Sequence, residues 1–153
     1  MKKNNKFLLF FSVFISTGFL VFFKKTPAKD LSKATQSQMI LVDQNYSFLR
    51  APKSVWKHSN IRRSLFKNAN LEEANFRDCF AFRADFSKSQ LKDADFSNCD
   101  LRYADFREAD LRGTDFTNAL LYDARFEGAI INEKTKIVFK EGPKGTLFMK
   151  ESK

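Results

Sequence analysis

Very few residues in this sequence have a type and spacing that could carry chemistry. His58 is the single histidine, and no serine, cysteine or carboxylate stands in a recognisable nucleophile motif with it. The convergent acid, base and nucleophile that catalysis needs are therefore missing. Cys79 and Cys99 are the two cysteines, twenty positions apart. They could form an exported disulfide, or they could be two small buried residues standing in for alanine. Two thiols with one imidazole do not make a zinc site. Asp85, Asp95, Asp100, Asp105, Asp110 and Asp115 recur at multiples of five. They could line up as a calcium site or a DNA-like acidic row, or accept hydrogen bonds from the N–H groups of turns. Gly142 to Thr146 lacks the spacing and the strand-loop-helix context of a phosphate loop. The sequence thus points to no enzyme, no cofactor and no metal.

The element that must position these residues is the stretch from Ser54 to Glu133, which falls into sixteen consecutive blocks of five in one register. The central position i is large from Trp56, Ile61 and Phe66 through Ile131, with Ala81 the exception. Two residues before it lies a small side chain, from Ser59 and Ser64 through Ala124 and Ala129. A helix turns about 100° per residue, so positions five apart never line one face. A flat strand has period two, so a step of five reverses faces on every pass. What fits is a short extended piece in which i−2 and i point the same way, followed by a corner. Repetition of edge and corner winds the backbone into a coil with i−2 and i facing the axis.

Blocks such as Ala69-Asn70-Leu71, Ala94-Asp95-Phe96, Ala104-Asp105-Phe106 and Ala109-Asp110-Leu111 carry the motif A(D/N)Lxx with Phe allowed at the centre. In this the sequence resembles the pentapeptide-repeat family. The resemblance implies an all-β fold, a right-handed quadrilateral β-solenoid with four repeats per coil and about four coils, stacked into a rod roughly 19 Å long. It also implies a structural role for the Asp residues at i−1. From Phe66 to Phe126, Phe recurs every ten residues, with Leu between except at Ala81. Four repeats per coil would set two Phe faces opposite each other and two Leu faces opposite each other.

With four repeats per coil, the outward residues sort by face. The face centred on Ile61, Ala81, Leu101 and Leu121 carries Arg62, Phe80, Phe82, Arg83, Arg102, Tyr103 and Tyr122, with Asn60, Arg63, Asp100, Leu120 and Asp123. The other three carry mainly Asp, Glu, Lys, Asn, Ser and Thr. Aromatic and Arg side chains dominate binding hot spots, and an exposed apolar patch marks an interaction site. This face is the candidate for protein binding or self-association. The competing expectation is that Phe80 or Phe82 turns inward to fill the space beside Ala81.

The flanks supply the basicity. Residues 1–53 carry +7, residues 54–133 carry −2 and residues 134–153 carry +4, within a total of +9. Nucleic-acid binding needs the surplus on the folded face, so it is disfavoured. Residues 7–23 hold no charge and are bracketed by lysines; as a helix they would span roughly 25 Å, the short limit for crossing a bilayer. Residues 1–25 are expected to be a single-pass membrane anchor, with the repeat domain extracytoplasmic. Cleavage near Ala28, giving a secreted or periplasmic protein, is the alternative. Residues 26–53 read as a polar tether and N-terminal cover. Residues 134–153 read as a C-terminal hairpin, Thr135 to Phe139 and Thr146 to Met149, with a basic tail. The function expected is a non-enzymatic, membrane-tethered binding or scaffold module. Its rivals are a DNA mimic that occupies a type II topoisomerase (gyrase), as the resemblance would allow, and a purely structural repeat protein.

Overall fold

The computed structural model describes residues 31–137 and the backbone of Lys150–Glu151. The apolar segment 7–23, with its expected hydrophobic helix and anchor or signal role, lies outside the described residues, as does the hairpin turn at Gly142 to Gly145. Among the described residues, no helix is long and apolar enough to cross a membrane.

From Leu31 onward the chain repeats a five-residue cycle of two-residue turn and single bridging residue. The bridges join residues twenty apart in parallel, from Thr35 with Val55 to Asp110 with Ile130. A step of twenty with a corner every five makes four sides per coil, the quadrilateral β-solenoid that the resemblance implies. The repeat at Phe96 shows why the backbone accepts this path. The N–H of Phe96 donates to Asp115 O one coil on at 2.8 Å, and that of Asn98 to Thr117 O at 2.9 Å. The Cys99 N–H closes the turn onto Phe96 O at 3.2 Å, and the Asp100 N–H reaches back to Cys79 O at 2.9 Å. The fifth, on Ser97, is taken by Asp95 Oδ1 at 2.8 Å.

Every backbone donor of the repeat is thus satisfied, as a buried coil requires. Asp85, Asp100, Asp105, Asp110 and Asp115 cap their turns the same way, so these carboxylates are committed to corners. The second turn residue is left-handed throughout, at φ +53° to +63° from Lys33 to Asp123 apart from Gly113 at +72°. That conformation costs an L-residue about 1 kcal/mol or more, and the coil-to-coil hydrogen bond of its own N–H offsets it.

The core follows the size pattern of the sequence. Phe66, Phe86, Phe106 and Phe126 form one ladder and Trp56, Phe76, Phe96 and Phe116 the opposite one. Rings within a ladder stack at 4.7–5.7 Å and 1–10°. Across the axis, rings ten residues apart meet edge to face at 5.2–6.0 Å and 78–88°. Both geometries suit the ring quadrupole. Tyr46 tops the first ladder, 5.0 Å from Phe66, and burial pushes its phenol up to about 12. The small i−2 residues do more than leave room. Ser64 Oγ donates to Leu41 O at 2.6 Å, Thr114 Oγ1 to Leu91 O at 2.9 Å, Cys79 Sγ to Trp56 O at 2.9 Å and Cys99 Sγ to Phe76 O at 2.7 Å.

Both ends of the solenoid differ from expectation. The coils begin earlier: residues 31–53, expected within a polar tether and cover, carry the same bridges and turns as the rest. The 107 residues from Leu31 to Ile137 therefore make just over five coils where about four were expected. The size rule is inverted at one early repeat, where Leu49 is buried at i−2 and Ala51 at i; the pair keeps its volume while exchanging its order. At the other end one residue is inserted. Asp115 bridges Lys136 at a step of twenty-one, and Asn132 Oδ1 accepts the N–H groups of Gly113 at 2.9 Å and Lys134 at 3.2 Å. Thr135 and Lys136, expected in the first strand of a hairpin, belong instead to this last turn of coil. Ile130–Ile131 pairs in parallel with Lys150–Glu151.

Candidate functional site

The face centred on Ile61, Ala81, Leu101 and Leu121 extends to Leu41 in the added coil. Among the described residues eight large hydrophobic side chains are exposed, and Ile40, Phe80, Tyr103, Leu120 and Tyr122 lie on this face with Met39 at its edge. Only Phe48 and Leu65 lie elsewhere. Met39 and Ile40 were not among the expected site residues; their signal was the five-residue frame itself, which puts Ile40 in column with Phe80.

Neither Phe80 nor Phe82 turns inward. Ala81 is fully buried and Phe80 is 56% exposed, while Phe82, half-buried, packs outside the coil. Its ring centre lies 5.3 Å from that of Tyr103 at 66°, and Tyr103 lies 5.7 Å from Tyr122 at 77°. Three guanidiniums surround Phe82: Arg83 at 5.3 Å, Arg62 at 5.6 Å and Arg102 at 5.7 Å from its centre. Arg83 also sits 5.5 Å from the Tyr103 ring. The corner geometry makes this possible, because residues at i+1 stack Arg62, Phe82, Arg102 and Tyr122 in one column, one coil apart. Cation–π attraction then holds the long arginines along the aromatic surface. All seven expected residues are on one face; six join in a single contact chain, and Phe80 stands apart at the opposite edge.

The arginines differ in what else they hold. Arg102 makes a two-pronged pair with Asp100, 2.8 Å for each contact, which holds the Asp100 carboxyl below its usual range. Arg63 grips Asp43 in the same manner at 2.6 and 2.5 Å, lowering that carboxyl too. Arg62 and Arg83 have no carboxylate within ion-pair distance among the described residues. The column at i−1 reads Ile40, Asn60, Phe80, Asp100, Leu120. Asn60 and Asp100 accept the turn N–H groups of Arg62 and Arg102 at 3.3 Å, a service that Ile40, Phe80 and Leu120 cannot give. Each other face has one apolar residue in this column, Val55, Leu65 or Ile130. The face with Arg50, Gln90 and Ile130 in this column likewise lacks three caps, so what sets the candidate face apart is that apolar side chains replace them.

The remaining candidates lie apart from this cluster. His58 sits at a left-handed corner with Nδ1 3.7 Å from Asp78 Oδ2. Cys79 and Cys99 are free and buried; burial pushes the Cys99 thiol well above its ordinary value. Among the described residues no group of three or more His, Cys, Asp or Glu could hold a metal ion.

Comparison with known proteins bears on the coil. A family profile described as "Pentapeptide repeat region" matches residues 59–135, half of the chain. No curated protein matches. Similar solved structures include a pentapeptide repeat protein from the thylakoid lumen of Arabidopsis thaliana, 27% identical over 66% of this chain and 60% of that one, TM-score 0.33. Another is HetL of the cyanobacterium Nostoc sp. strain PCC 7120, a pentapeptide repeat protein involved in heterocyst differentiation regulation, at 28% over 67% and 51%, TM-score 0.36. A third is QnrB1, a plasmid-mediated fluoroquinolone resistance protein, at 13% over 72% and 75%, TM-score 0.29. The chain spans about half to three fifths of the length of the first two.

Proposed function

Given that the chain belongs to the pentapeptide repeat family, we propose that it is a non-enzymatic protein-binding module, and that its binding surface is the face bearing Arg62, Phe80, Phe82, Arg83, Arg102, Tyr103 and Tyr122. Residues 7–23 tether it to a membrane with the coils on the extracytoplasmic side, or are removed on export. The observation that carries this reading is the concentration of exposed hydrophobic side chains on one face, joined to two arginines, Arg62 and Arg83, that have no carboxylate within ion-pair distance among the described residues. Such a surface exposes large apolar side chains to water, which a purely structural rod has no reason to accept. A DNA mimic would call for a strongly acidic rod. Residues 31–137 hold 17 Lys and Arg against 15 Asp and Glu, a slight basic excess.

The test replaces Phe82, Tyr103 and Tyr122 together by Ser in the full chain. Cross-linking in native membranes should then lose the protein-containing adducts of the unaltered chain, while far-UV circular dichroism stays the same. Undiminished adducts would sink the reading.

A further inference from the structure

We propose that the occupant of this face is a second copy of the same chain, lying alongside in parallel about a two-fold axis that runs with the rod. The inference rests on the binding role proposed for the face and names the partner.

Its basis is the pairing of residue types across each rung. The i−1 residue stands at one edge of the face and the i+1 residue at the other. The rungs read Ile40 and Val42, Asn60 and Arg62, Phe80 and Phe82, Asp100 and Arg102, Leu120 and Tyr122. Apolar rungs alternate with polar ones, and within every rung the two edges match: apolar with apolar, amide with guanidinium, carboxylate with guanidinium. A two-fold axis along the rod carries each edge onto the opposite edge of the same rung. Phe80 then meets Phe82 of the second copy, Leu120 meets Tyr122, Asp100 meets Arg102 and Asn60 meets Arg62. Arg83, which has no carboxylate within ion-pair distance among the described residues, comes beside Phe80 of the other copy. An antiparallel pair centred on Phe80 would instead oppose Arg62 to Arg102 and Arg83 to Arg83.

Two further considerations favour a copy over an unrelated protein. Identical rods share one rise per coil, about 4.8 Å, so five rungs stay aligned along the whole face without adjustment. An isologous contact also needs only self-complementarity, the property the rungs display.

The experiment uses the purified full chain in detergent micelles, followed by sedimentation velocity across a concentration series. The unaltered chain should dimerise. Asp100→Arg and Arg102→Asp should each weaken dimerisation at least about tenfold through like charges in the rung. An equal mixture of the two should recover it as a heterodimer, since both rungs then pair opposite charges. Circular dichroism of each variant establishes that the coil is intact. Because Asp100→Arg also removes a corner cap, a second measurement stands apart from it: copies carrying Leu120→Cys, mixed with copies carrying Tyr122→Cys, should cross-link on oxidation.

A monomeric unaltered chain, a dimer indifferent to both charge substitutions, or a cross-link of Leu120→Cys to Ile40→Cys in preference to Tyr122→Cys would overturn the proposal. If the chain is monomeric yet the Phe82, Tyr103 and Tyr122 triple substitution still abolishes adducts with another protein, the binding role stands and the copy does not. If the unaltered chain is monomeric and its face labels bilayer lipid instead, both fail.

Discussion

The protein holds two kinds of aromatic ladder, and they follow different rules. Inside, Phe76, Phe96 and Phe116 lie nearly parallel, with planes 1–7° apart, and every ring also meets the opposite ladder edge-on. Outside, Phe82, Tyr103 and Tyr122 tilt 66–77° from one another, and arginines lie along Phe82 and Tyr103 where the inner rings meet a second ladder. The inner ladder is fixed on all sides, so its geometry reports packing. The outer ladder is fixed on one side only, so its composition has to be explained by what it meets in water. The same residue type is thus a structural requirement at Phe96 and a choice at Phe82.

Substitutions in the two ladders and at the corners between them test the difference. Phe96→Ala removes a ring that contacts Phe76, Phe86, Phe106 and Phe116, and should cost about 3–5 kcal/mol in a urea melt. A cost below about 1 kcal/mol would mean that the inner rings are as replaceable as the outer ones. Next comes the corner. Asp105 accepts the Arg107 N–H at 3.0 Å and the Arg107 guanidinium at 2.9 Å, so Asp105→Ala should cost about 1–2 kcal/mol, while Asp105→Asn keeps the turn acceptor and should cost less.

These corners also set an acid limit. Burial pushes the Asp105 carboxyl up, but the hydrogen bonds from Arg107 outweigh it and the net direction is down. Arg102 and Arg112 likewise lower Asp100 and Asp110. A carboxyl lowered on folding contributes stability that is complete above its unfolded value near 4 and is lost as pH falls through the folded value. The melting midpoint should therefore hold down to about pH 4 and fall below it, and Asp105→Asn should flatten that fall.

A smaller effect is expected at Gly113, where φ is +72° and an added Cβ would stand 2.1 Å from Asp93 Oδ1. Gly113→Ala should cost about 1 kcal/mol, since the exposed Asp93 side chain can move aside and the left-handed backbone cannot. Smallest per site, replacing Phe82, Tyr103 and Tyr122 by Ser should shift the melt by no more than about 0.5 kcal/mol at each position. A loss comparable to that of Phe96→Ala would make the outer ladder a brace rather than a binding surface.

The middle of the fold was legible because two positions in five obey a size rule that no helix or strand would produce. Trp56 to Ile131 in the large position and Ser59 to Ala129 in the small one suffice to place core, corners and opposing Phe faces. The ends were not legible for two distinct physical reasons. At Leu49 and Ala51 large and small exchange places, which a volume-filling core tolerates and a pattern in the sequence does not reveal. At Asn132 one residue is added, and Thr135-Lys136-Ile137 repeats the small, polar, large pattern one step out of frame. Thr135 Oγ1 accordingly reaches Leu111 O at 2.9 Å, the bond Thr114 makes to Leu91 one coil earlier. The face was placed by the same count of four repeats per coil. What the count could not supply was where Phe82 would point, since an alanine at the centre of its repeat leaves both directions sterically open.

The uniform step of twenty has a consequence for how the chain comes into being. No contact of the core waits for the far end of the polypeptide, because each coil closes on residues already emerged one coil earlier. The entropy cost of adding a coil is that of one short loop, the same each time. Folding can therefore proceed as a zipper at the pace of synthesis once a first pair of coils has formed. The slow event would be that first pairing, and among the described coils the first in the order of synthesis are those that include the exchanged pair Leu49 and Ala51.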